Sequence, residues 1–86
     1  RSTAAAQAVG RIDKILDAME RIATAPYRGE VHDELLPGLR HLTLEQAIYW
    51  YQLQDATETI QVLAIFYGGQ DHMRQMLLRL LSDPFE

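Results

Sequence analysis

Leu39-Arg40-His41-Leu42-Thr43-Leu44, then Ala47-Ile48-Tyr49-Trp50-Tyr51-Gln52-Leu53, then Ile60-Gln61-Val62-Leu63-Ala64-Ile65-Phe66-Tyr67 are the three runs that decide the fold of this 86-residue chain. The first run alternates. Leu39, His41 and Thr43 point one way and Arg40, Leu42 and Leu44 the other, which is the period of a strand. The second and third runs are rich in branched and aromatic residues, the composition of strands. Between them Gln54 to Thr59, with Asp55 and Glu58, is short and polar, so the two pair as an antiparallel hairpin. Alternation puts Tyr49 and Tyr51 on one face and Trp50 on the other. Because Val62 to Phe66 is continuously apolar, the last strand is expected to be covered on both faces and central in the sheet.

Upstream, apolar residues fall at Ala5, Val9, Ile12, Leu16, Met19 and Ala23, widened by Ala8, Ile15 and Ile22, the stepping of an amphipathic helix. Its other side carries Gln7, Arg11, Lys14, Asp17, Glu20 and Arg21. Pro26 and Gly29 stop it, and Ala25 to Gly38, with Pro37, reads as a loop pinned by Leu35 and Leu36. Downstream, Gly68-Gly69 breaks the last strand and Asp71 is placed to cap a closing helix with Met73, Met76, Leu77 and Leu80 inward. Ser82-Asp83-Pro84 ends it. The expectation is one α+β domain over residues 1–86: a long N-terminal helix, a three-stranded antiparallel sheet and a short C-terminal helix. The pattern is already helical at Ser2-Thr3-Ala4, so a native segment is expected before Arg1.

Composition removes whole classes of function. There is no cysteine, hence no disulfide, thiolate metal site, iron–sulfur cluster or cysteine nucleophile. Eight Lys plus Arg against twelve Asp plus Glu give a net charge of −4, which argues against a domain that grips nucleic-acid phosphates by itself. No apolar run approaches the roughly 20 residues that span a bilayer, and the first residues given lack the basic start and apolar stretch expected of a signal peptide. A soluble cytoplasmic protein without membrane association is the expectation.

Gly38-Leu39-Arg40-His41-Leu42, Ala47 to Leu53, and Val62 to Asp71 together resemble the RelE/ParE superfamily of toxins from type II toxin-antitoxin systems, the ParE-like branch most of all. The resemblance covers most of the chain and rests on the order and spacing of segments. Family members usually begin with a further strand and helix, which would precede Arg1. It implies a toxin neutralised by a cognate antitoxin, ParD-like or similar, that reaches operator DNA only through that antitoxin. Two activities divide the superfamily: RelE-like members cut ribosome-bound messenger RNA, and ParE-like members inhibit DNA gyrase by binding. Gln52 and Gln70 stand where many relatives carry Arg, and Tyr67 where a His is frequent.

Between Arg40 and Arg74 there is no Lys or Arg, so the hairpin offers no cation to a phosphorane-like transition state. Tyr51, Tyr67 and His72 are proton carriers without that cation, which favours binding over ribonuclease chemistry, and no catalytic residue is assigned. The alternatives are a ribosome-dependent endoribonuclease and a non-toxic binding module of the same fold. Arg40, Tyr51, Tyr67, Gln70, His72 and Arg74, carried over from matching positions or their neighbours, are the expected partner contacts. Tyr49, Trp50 and Tyr51 read either as a partner hot spot or as core. His32-Asp33-Glu34 is adjacent in an extended loop, where neighbours do not converge on one ion, so no metal or cofactor is expected. Gly68-Gly69 reads as a plain turn, since Asp71 would repel an anion.

Overall fold

Proline 26 ends the first helix because its ring leaves no backbone donor for a further turn. In the computed structural model, which describes residues 3–68 and 71–82 with side chains from residue 12 onward, helix α1 runs Thr3–Thr24. A 3₁₀ turn at Pro26–Arg28 follows, and another, Asp55–Thr57, lies in the later hairpin connection. Then come strands β1 (Glu30–Val31), β2 (Leu39–Leu44), β3 (Ala47–Gln54) and β4 (Thr59–Tyr67), and helix α2 (His72–Ser82). The sheet is antiparallel throughout, in the order β1-β2-β3-β4. The domain is α+β with a helix at each end of the sequence.

Four strands replace the three expected. The added one, β1, lies inside the stretch read as loop and pairs Glu30 with His41 and Val31 with Arg40. A two-residue strand has no period to read. The last strand is also displaced from its expected place: β4 borders β3 alone and forms the edge, while β2 and β3 are central. A bulge explains the misreading. Trp50 pairs with Ala64 but Tyr51 with Val62, so Leu63 is an extra residue that shifts the alternation. Val62 and Ile65 pack on one face, and Leu63, Ala64 and Phe66 on the other, and a continuous apolar run results without full coverage.

Two apolar clusters form on the two faces. On one, Leu44, Ala47, Tyr49 and Tyr51 pack with Ala18 and Ile22 of α1. On the other, Leu39, Ile48, Trp50 and Ala64 pack with Met76 of α2, flanked by Leu80 and by Leu35 and Leu36 of the loop, which pin it as expected. The helix faces differ from the expected stripes. Helix α1 docks by the narrow ridge of Ala18 and Ile22 and leaves Ile12 (55% exposed), Leu16 (57%) and Met19 facing solvent. Those residues lie within the expected apolar stripe, whose arc is wider than the ridge one sheet contact needs. On α2, Met76 is buried, whereas Met73 and Leu77 stay exposed.

Gly38 is fixed by its backbone. Its φ is 82°, and a Cβ there would run into the Leu53 carbonyl oxygen, while its own carbonyl accepts the Leu53 N–H at 2.9 Å. Asp71 starts α2 with φ 57° and accepts the Gln75 N–H at its carbonyl, 3.1 Å. That left-handed backbone differs from the extended conformation of a side-chain N-cap.

Candidate functional site

The chain has three histidines, and the fold brings all three to Trp50. The β1–β2 ladder sets two of them. Glu30 faces His41 in register, and one residue beyond β1 the His32 N–H donates to the Leu39 carbonyl at 2.8 Å, extending the pairing. The chain then turns sharply, with the N–H groups of Leu35 and Leu36 donating to the His32 carbonyl and Asp33 Oδ1 accepting the Gly38 N–H at 2.9 Å. That turn holds His32 inward beside His41. The third histidine, His72, opens α2.

Within the cluster, His32 Nε2 and His41 Nδ1 share a hydrogen bond of 2.7 Å, one imidazole donating to the other. Their rings stack at 4.8 Å, and each lies 4.8 Å from the Trp50 ring. Trp50 Nε1–H donates to His72 Nδ1 at 3.2 Å, and His72 meets His41 edge-on. His32 is only 3% exposed and Trp50 fully buried, and among the described residues no buried side-chain nitrogen or oxygen lacks a partner. Two carboxylates approach from the solvent side. Glu30 lies 3.9 Å from His32 Nε2 and 3.8 Å from His41 Nε2, and Glu34 lies 4.0 Å from His32 Nδ1. Burial, and then the neighbouring imidazoles of His32 and His72, hold the His41 pKa below its ordinary value, against a weaker opposite pull from Glu30.

Among the described residues, the expected contacts do not form one patch. Arg40 and Tyr51 are a cross-strand pair at one end of the sheet. The Arg40 guanidinium lies over the Tyr27 ring and donates to the carbonyls of Tyr27 and Gly29 at 3.0 and 3.1 Å. Tyr51 is fully buried, with its hydroxyl donated to the Pro26 carbonyl at 2.9 Å, so the aromatic run belongs to the core on both faces. Burial raises its pKa, partly offset by hydrogen bonding from the Gly29 backbone and by Arg40. Tyr67 lies at the opposite end, paired with Ala47, exposed beside an open groove of about 680 Å³ lined also by Lys14, Asp17, Arg21 and Glu45. His72 joins the histidine cluster. Arg74 is exposed on α2, and Gln70 lies outside the described residues.

What the sequence reading missed is the convergence of His32 with residues far from it in the chain. Asp33 turns away to Gly38, as expected of neighbours in a loop. The partners are Glu30 and His41, joined by strand pairing. One signal was legible: His41 shares its side of β2 with Leu39, an inward position where an imidazole needs a polar partner.

No protein family, no curated protein and no solved structure matches this chain. Among the described residues, no helix is long and apolar enough to cross a membrane.

Proposed function

We propose that the chain is the toxin of a type II toxin-antitoxin system of the ParE-like kind, a cytoplasmic binding protein that inhibits DNA gyrase and is covered by a cognate, ParD-like antitoxin. The observation that carries a binding role is the apolar stripe of Ile12, Leu16 and Met19 on α1, exposed together on a helix whose other ridge is already seated on the sheet. Such a stripe is the feature an amphipathic partner segment covers. The particular class rests on the ordered segments that resemble ParE-like toxins.

Binding is favoured over RNA cleavage by charge. No Lys or Arg occurs between Arg40 and Arg74, and Arg40 is engaged by two backbone carbonyls and a tyrosine ring. The β3–β4 hairpin therefore supplies no Lys or Arg to a phosphate's developing charge, and the one arginine of β2 is already engaged. Growth after induction of the gene without its antitoxin, followed by gyrase supercoiling with purified protein, tests the reading. The expected result is growth arrest with inhibited supercoiling. Arrest with intact supercoiling and cleaved ribosome-bound message would replace it with the endoribonuclease reading, and undisturbed growth with that of a non-toxic binding module.

A further inference from the structure

We propose that Glu30, His32 and His41 form a binding site for one divalent late transition-metal ion of the zinc type, at the β1 edge of the sheet. One ligand atom from each lies within 4.8 Å of the other two. Two imidazoles and a carboxylate are a donor set that zinc favours, whereas magnesium and calcium want oxygen throughout. A tetrahedral ion with Zn–N bonds of 2.0–2.1 Å needs donors about 3.3 Å apart. The present separations fall on either side of that value: 2.7 Å between His32 Nε2 and His41 Nδ1, and 3.9 Å between His32 Nε2 and Glu30 Oε2. Small ring and carboxylate movements convert the hydrogen-bonded pair into a coordinating one. The hydrogen that the two imidazoles share moves to the outer nitrogen of the donating ring, Nδ1 of His32 beside Glu34 or Nε2 of His41 beside Glu30, so both rings stay neutral and each turns a lone pair to the ion.

The surroundings fit the same role. His32 is held by the Leu39 carbonyl and the 32–36 turn at its backbone, and its ring is packed between His41 and Trp50. Its Nδ1 faces Glu34 at 4.0 Å, the position of the outer carboxylate that orients a ligating imidazole and leaves Nε2 for the metal. The Glu30 side chain is 70% exposed, so the ion enters from solvent and the fourth position stays open to water. Strand β1 consists of two residues, and an ion shared by Glu30 and His41 would cross-link it to β2. The site acts first as a clasp on that edge.

Calorimetric titration of the untagged, chelator-stripped chain with zinc chloride tests this, with imidazole nitrogen NMR to locate the ion. The expected result is one ion per chain at micromolar affinity or tighter, with the His32 and His41 nitrogens shifted most. Glu30→Gln, at an exposed side chain the core does not need, should weaken zinc at least about tenfold while leaving the circular dichroism spectrum unchanged. His41→Asn should abolish the shift at His32. Absence of heat and shift up to millimolar zinc overturns the proposal, as does unchanged affinity in both Glu30→Gln and His41→Asn, which would put the ion elsewhere. Neither outcome bears on growth arrest or supercoiling.

Discussion

On the α1 side of the sheet, Tyr49, Tyr51 and Leu44 pack beneath Ala18 and Ile22 with phenol hydroxyls as the polar atoms, whereas on the α2 side Trp50 shares its surface between Met76 and three imidazoles. The first face buries apolar area and satisfies one deep hydroxyl on a backbone carbonyl. The second buries the largest ring in the chain and builds polar chemistry at its margin. One strand, β3, serves both, because its alternation sends Tyr49 and Tyr51 one way and Trp50 the other. A central strand can thus carry an apolar core on each side and a polar histidine cluster at the margin of one of them.

Trp50→Ala should break the comparison outright. Removing a fully buried indole costs about 3–5 kcal/mol, and it takes with it the hydrogen bond to His72 and the packing of His32 and His41. Urea unfolding should show the domain near or past its stability limit, since small domains hold only about 5–15 kcal/mol in all. Tyr51→Phe probes the opposite face more gently. It leaves the Pro26 carbonyl without its donor and should cost about 1 kcal/mol or somewhat more by the same measurement, with the histidine cluster's NMR signals unmoved.

Alkaline titration sharpens the contrast through the same phenols. Burial raises Tyr49 and Tyr51 above the ordinary 10.0, so the folded state favours the neutral hydroxyl. Their contribution to stability is fully present below that ordinary value and is lost as pH rises through the raised one. Phenolate absorbance should therefore lag behind that of a free tyrosine and appear together with unfolding. Smallest is the expected effect of Leu16→Ser on the exposed stripe, within about 0.5 kcal/mol of the parent. If the proposed toxin reading holds, affinity for the antitoxin, measured alongside, should fall well beyond that figure.

Much of this architecture was legible in advance because period survives without context. The strand at 39–44 follows from alternation, the runs to Leu53 and from Ile60 to Tyr67 from branched and aromatic composition, and both helices from four-three steps, and Trp50 was assigned its face correctly. Other features depend on pairing that a linear reading does not hold. Strand β1 exists because Glu30 and Val31 find His41 and Arg40, and the edge position of β4 was hidden by the extra residue at Leu63. The docking ridge of α1 was lost among apolar neighbours all equally suited to a core. His32 was read with Asp33 and Glu34, next to it in sequence, and its principal partners are Glu30 and His41, set by β-register.

Trp50 is the chain's single tryptophan, and its indole touches every histidine the protein has. Its emission is consequently an optical gauge built into the molecule. The wavelength follows the intactness of the α2-side core, and the intensity follows what the neighbouring rings carry. An open-shell ion such as copper or nickel at the cluster would darken that emission, and closed-shell zinc would leave it bright, so a fluorimeter reads fold and occupancy from one side chain without any label.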